Sequence, residues 1–191
     1  MNAERTTPSI AAMPSEDERA IRESVARIAS KYGPSYYLAK AAEKEPLTEL
    51  IKELGEAGFI GINLPEEYGG GGLGMEALSI VIEELGRHGL NVSLLTFSSG
   101  VSAPIIKEYG TPAQKAEWLP KLISGEAYFS FGITEPDAGS NTHNIKTTAK
   151  KVGDKFIVNG QKYWSTGLSR AAKYLIVART GTDEKTGRAK L

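Results

Sequence analysis

The 191-residue chain carries 23 basic and 23 acidic residues, and its 40% hydrophobic and 24% charged content is that of an ordinary soluble globular protein. The balanced charge gives no electrostatic footprint for nucleic acid or an anionic membrane. With no cysteine and only two histidines, His88 and His143, the chain excludes disulfides, thiolate metal sites, cysteine nucleophiles and histidine-rich metal centres.

The N-terminal stretch MNAERTTPSIAAMPSEDE lacks the apolar core of a signal peptide, and its early acids argue against a transit peptide. Residues 1–14 are expected to be disordered and the protein cytoplasmic. No apolar run reaches membrane-spanning length. Helix periodicity begins at Ser15, where Ser15-Glu16-Asp17-Glu18 has the form of a capping box. Ile21, Val25, Ile28 and Tyr32 then share one face, and Gly33-Pro34 is expected to end the run. A second helix fits 46–57, with Leu47, Leu50, Ile51 and Leu54 as its apolar stripe. The segment FIGINLPEEYGGGGLG, 59–74, reads as an apolar stretch leading into a glycine loop. Gly69–Gly72 has no following Gly-Lys-Ser/Thr and no dinucleotide-binding unit around it, so it reads as a flexible connector.

A third helix fits 74–87, and 91–109 predicts a longer apolar, central helix that Pro104 would kink. His88 follows a helix end, where a cation suits the helix dipole, and His143 falls in a polar loop. Thr111-Pro112-Ala113-Gln114 opens another helix by a second capping box, closed by Ser124-Gly125. The pattern changes near 126. AYFSFGIT reads as a strand, and KTTAKKV (146–152) and KFIV (155–158) read as a hairpin around Gly153-Asp154. Asn159-Gly160 is a tight-turn signal. QKYWST (161–166) and YLIVART (174–180) read as further strands before a turn-rich polar end with no closing strand. Helices followed by an incomplete sheet predict an α+β fold, a helical domain over 15–126 and a β domain over 127–191. A sheet that stops early leaves an open edge, so the chain is expected to be the front part of a longer one.

The segment FGITEPDAGSN, 131–141, could carry chemistry. Pro136 fixes its entry, Ala138-Gly139-Ser140 lets a ligand approach the backbone, and Thr134 and Ser140 offer hydroxyls. The same residues would also serve as a plain connection from helices to sheet. Glu135 and Asp137 read as solvated or loop-bracing acids rather than a general acid/base pair. On a strand, Trp164 would share a face with Thr166, which suits a flat aromatic cofactor, although a core tryptophan beside a surface threonine has the same pattern.

Taken together, four motifs in order resemble the acyl-CoA dehydrogenase family: LPEEYGGGGLG (64–74), GTPAQKAEWLPKLISGE (110–126), FGITEPDAGSN (131–141), and VNGQKYWST (158–166) followed by AKYLIVART (172–180). The resemblance implies an N-terminal all-α helical domain followed by a truncated, antiparallel β-barrel-like middle domain that holds FAD. It assigns Phe131, Ile133, Thr134, Gly139, Ser140, Trp164, Ser165 and Thr166 to cofactor binding. Ile133 and Thr134 would lie at the pyrimidine end of the flavin. Ser140 would sit near the diphosphate and the acyl-CoA substrate, Trp164 against the flavin face, and the Thr166 hydroxyl at flavin N5. In such enzymes a glutamate takes the acyl α-proton while the β-hydride passes to the flavin. That glutamate belongs to a C-terminal four-helix domain not encoded here, so no catalytic residue and no metal ligand is assigned. An electron-transfer flavoprotein or similar acceptor, a homo-oligomeric full-length parent (dimer or tetramer), and a mitochondrial matrix location if the source is eukaryotic are further implications. Related readings are an acyl-CoA oxidase or flavin monooxygenase on the same fold, or a non-catalytic flavin- or acyl-CoA-binding paralogue.

Overall fold

The computed structural model describes residues 14–182 and 189–190. The expected disorder of residues 1–14 lies outside them apart from Pro14. Six α-helices come first: α1 Glu16–Ala29, α2 Gly33–Glu43, α3 Thr48–Glu56, α4 Gly74–Arg87, α5 Ala103–Tyr109 and α6 Pro112–Ser124. Both capping boxes form. Ser15 and Thr111 accept from the backbone amides of Glu18 and Gln114, whose side chains reach back to the cap amides. Gly125 ends α6 in the left-handed conformation at φ 80°.

Two differences from the sequence reading appear in the helices. α1 already ends at Ala29 with Ser30 as its cap, and Gly33-Pro34 instead starts α2, because proline is tolerated in a first turn where its missing N–H has no partner to lose. The apolar run after residue 91 is a π-helical segment, Leu95–Ser102, passing into α5, with Pro104 in the first turn of α5. The π segment buries Ser98, Ser99 and Ser102 completely.

The glycine loop is packed rather than flexible. Gly71 donates to the carbonyl of Gly61 at 3.1 Å, Gly72 to that of Leu64 at 2.8 Å, and Leu73 to that of Ile62 at 2.9 Å. A Cβ placed on Gly70 would lie 2.2 Å from the Leu64 carbonyl oxygen, so only glycine lets the two backbones meet.

One apolar core joins α1, α3 and α4 through Val25, Leu50, Leu54, Leu78, Val81 and Leu85. A second gathers Leu64, Ala103, Leu119, Leu122 and Ile123 with Ala127 and Phe129, so the helical part and the first strand are packed as one. The Trp118 and Phe129 rings stand 5.1 Å apart, and the Phe129 amide donates to Ser98 Oγ at 3.2 Å.

The strands are β1 Phe129–Gly132, β2 Thr148–Val152, β3 Lys155–Asn159, β4 Lys173–Ile176, β5 Gly181–Thr182 and β6 Ala189–Lys190. The β2–β3 hairpin turns at Gly153-Asp154 as expected. Helices followed by strands is the expected order. Among the described residues, however, no closed barrel forms, and β1 pairs with β4 in parallel. The forty residues between them include a loop, the hairpin and a second loop, a crossover long enough to bring β4 back in the same direction. The expected strand at 161–166 is absent. A short β5–β6 pair stands where no closing strand was expected, with 183–188 outside the described residues.

Candidate functional site

The strand β1 delivers Phe131 and then Ile133 and Thr134, all half-buried, to the place where the loop after β3 returns. The two segments are joined by main chain, the Tyr163 amide donating to the Thr134 carbonyl at 2.8 Å, while the Val177 amide, just past β4, donates to the Gly132 carbonyl at 3.0 Å and extends the β1–β4 pairing. The Thr166 carbonyl accepts from Tyr128 Oη at 2.6 Å and Ser130 Oγ at 2.9 Å. Ser165 Oγ hydrogen-bonds Tyr174 Oη. Six of the eight sequence-assigned residues, Phe131, Ile133, Thr134, Trp164, Ser165 and Thr166, therefore lie on two segments that meet at one edge.

Within the returning loop the strand assumption fails. Trp164 has φ +58°, a left-handed conformation uncommon outside glycine, so it and Thr166 do not alternate across a strand. Trp164 is 86% exposed, and Tyr163 beside it is also exposed. A core tryptophan is thereby ruled out for this chain. The ring is presented outward, and its local backbone conformation is one that the surroundings must impose.

Gly139 and Ser140 are exposed and lie past a tight turn in which Glu135 and Ala138 exchange backbone hydrogen bonds at 3.0 and 3.1 Å. A Cβ on Gly139 would meet nothing within 4 Å. The chain's own packing does not require glycine there, and the backbone is open to approach.

The two acids of the turn part company. Asp137 is exposed and pairs with Lys146 Nζ at 2.6 Å, as a solvated acid should. Glu135 is buried, with only 5% of its surface exposed, which sequence reasoning did not anticipate. It does brace the loop: its carboxylate accepts from the amides of Lys146 and Thr147 and from Lys162 Nζ at 2.7 Å. Burial alone would raise its pKa. The Lys162 ammonium and the amides of Lys146 and Thr147 outweigh that and hold it at about 2. Lys162 Nζ also donates to the Ile133 carbonyl at 3.0 Å. Both residues stand inside the quoted motifs, but a pairing across 27 positions leaves no local signal.

A groove of about 700 Å³ lies elsewhere, between α2–α3 and the segments around Tyr128 and Gly167, and none of the assigned residues lines it. A smaller one of about 270 Å³ borders the edge through Lys162, Ser165, Tyr174 and Ile176. Size alone favours the first as a ligand site. Of the assigned residues, Ser165 alone lines the second. The side-chain hydroxyls of Thr134 and Thr166 make no hydrogen bond among the described residues; the bonds at Thr166 go to its carbonyl. His88 caps α4, its Nδ1 2.9 Å from the Glu84 carbonyl, and His143 is exposed. No group of three His, Cys, Asp or Glu side chains suited to a metal occurs among the described residues, and no described helix is long and apolar enough to cross a membrane.

The family model described as "Acyl-CoA dehydrogenase, N-terminal domain" matches residues 15–126, and that described as "Acyl-CoA dehydrogenase, middle domain" matches 130–191. Acyl-CoA dehydrogenase FadE12 of Mycobacterium tuberculosis is 45% identical over 174 residues, which is 91% of this chain and 45% of that protein. Among solved structures, an acyl-CoA dehydrogenase from Geobacillus kaustophilus superposes with TM-score 0.80 at 30% identity, over 92% of this chain and 46% of that one. A Mycobacterium smegmatis glutaryl-CoA dehydrogenase in complex with FADH2 gives TM-score 0.79 at 32% identity, over 87% and 43%. The chain thus spans somewhat under half the length of the relatives it matches, and on both family models and these likenesses it belongs to the acyl-CoA dehydrogenase family.

Proposed function

We propose that this chain supplies the helical part and the first half of the flavin edge of an FAD-dependent enzyme that oxidises an acyl-CoA thioester at its α,β-carbons. The observation that carries the reading is the meeting of Phe131–Thr134 with Trp164–Thr166 at one edge, with Trp164 turned outward in a left-handed conformation. The donor set fits a flavin. It offers a flat exposed aromatic face, two uncommitted hydroxyls, and an open Gly139-Ser140 backbone suited to a diphosphate. FAD, when bound, supplies the acceptor for the substrate's β-hydride. Ile133, Thr134 and Thr166 would hold the ring, Trp164 would cover it, and Gly139 and Ser140 would serve the diphosphate, with Ser140 also reaching the acyl-CoA.

The same reading carries an electron-transfer flavoprotein or similar acceptor as partner, a homo-oligomeric full-length parent and a cytoplasmic setting. Its test is flavin content. The full-length parent is expected to purify yellow and to release FAD on denaturation. A colourless parent that gains no flavin absorbance on titration with FAD would refute it.

A further inference from the structure

The side chains of Lys162 and Glu135 are each 95% or more buried, and the only charge each meets at hydrogen-bond distance among the described residues is the other's. The pair sits astride the junction of the candidate flavin edge. Lys162 belongs to the returning loop, two residues before Trp164. Its ammonium reaches the Ile133 carbonyl and the Glu135 carboxylate on either side of Thr134. The Tyr163 amide, next in sequence, closes on the Thr134 carbonyl. Glu135 in turn is tied to the amides of Lys146 and Thr147, at the start of the β2–β3 hairpin.

We propose that Lys162 and Glu135 act as a positioning clamp, fixing the Ile133–Thr134 backbone against the Trp164 loop so that the two halves of the cofactor edge stand in register before any ligand arrives. The inference rests on the flavin reading above for its purpose, but the clamp is a property of the chain's own hydrogen bonds. A buried ion pair is weak evidence of stabilisation, because apolar residues of similar volume often serve a core equally well. What an ion pair supplies that apolar packing does not is direction. An ammonium with donors aimed at one carbonyl and one carboxylate tolerates one loop geometry, and here that geometry includes the left-handed Trp164. Preorganisation of this kind appears as affinity for the ligand rather than as core stability.

The experiment compares the wild-type protein with Lys162→Met, which keeps length and apolar volume, and Lys162→Arg, which keeps the charge. Two quantities are read: amide hydrogen exchange at Tyr163 in the 191-residue chain, with the Leu54 and Val81 amides as core controls, and the FAD dissociation constant of the full-length parent. The clamp predicts Tyr163 exchange faster by about tenfold or more in Lys162→Met relative to the core amides, which report any global loss of stability, FAD binding weaker by about tenfold, and partial recovery of both in Lys162→Arg. If Lys162→Met does not fold, Glu135→Gln, which keeps the shape and removes the charge, is read in the same way. Unchanged Tyr163 exchange overturns the clamp whether or not flavin binds. Faster exchange with unchanged FAD affinity overturns the positioning role and leaves a structural pair. A wild-type parent that binds no FAD refutes the flavin reading, while the exchange data still decide the clamp.

Discussion

Trp164 contributes little to the fold that carries it. At 86% exposure its removal deletes almost no buried surface, so Trp164→Ala should change the stability of the 191-residue chain only slightly, within about 0.5 kcal/mol, as thermal denaturation would measure. If its ring covers the flavin, the same substitution should lower flavin occupancy in the full-length parent. Unchanged stability together with unchanged occupancy would remove Trp164 from the site. Thr166→Val keeps shape and deletes one hydroxyl, worth about 0.5–1.5 kcal/mol, so flavin reduction by acyl-CoA should slow by about two- to tenfold with FAD retained. Rapid-mixing kinetics would read it. Glu135 adds a pH prediction. Its folded pKa, about 2, lies below the usual 4.5, so its contribution to stability is complete above 4.5 and is lost as pH falls towards 2. Acid titration of the wild type should therefore show destabilisation in that window, which Glu135→Gln lacks. The Gln variant should be less stable than wild type at neutral pH, by about 3 kcal/mol, because it leaves the Lys162 ammonium buried without its counter-charge.

At the scale of elements, what could be read from sequence was what is fixed locally. The capping boxes at Ser15 and Thr111, the Gly125 stop and the Gly153-Asp154 hairpin depend on residues three or fewer apart, and all four form. Elements governed by distant partners were not legible in the same way. The 161–166 segment has a strand's composition, yet its Lys162 and Tyr163 are claimed by Ile133, Thr134 and Glu135, and Trp164 turns left-handed. The parallel β1–β4 pairing likewise depends on a crossover no local pattern encodes. The candidate site was legible as residue types in motif order, whereas its binding edge and the burial of Glu135 came only with the coordinates. The glycine loop shows the same limit. Four glycines suggest flexibility, but Gly70 is there because the Leu64 backbone passes too close for a Cβ. Gly70→Ala should destabilise the chain by about 1–3 kcal/mol, and thermal denaturation would measure it. A neutral outcome would mean that the loop yields as a connector would.

At the scale of the whole molecule, a well-packed helical part carries a β part whose surface is unusually apolar. Val152, Phe156, Ile157 and Val158 on the hairpin are all about half exposed, as are Leu168 and Ile176. Phe129, Trp118 and Ser98 anchor β1 to the helices, which fixes where the candidate edge begins, while the hairpin beyond has no covering layer among the described residues. The chemistry has a corresponding gap. Abstraction of an acyl α-proton needs a carboxylate or other base free to move a proton at the face where the substrate lies. Of the carboxylates near the edge, Glu135 is locked by Lys162 and two amides, and Asp137 is an exposed partner of Lys146. Neither is poised as a base: one is held at a pKa of about 2, and the other is turned to solvent. The 191-residue chain by itself, supplied with FAD, is therefore expected to show no acyl-CoA dehydrogenation with a dye acceptor, even where it binds the cofactor. Glu135→Gln should leave that null result unchanged. Dye reduction by the pure wild-type chain that disappears in Glu135→Gln would make Glu135 the base and overturn its role as a brace. Dye reduction that persists in the variant would place the proton-abstracting group elsewhere among these 191 residues.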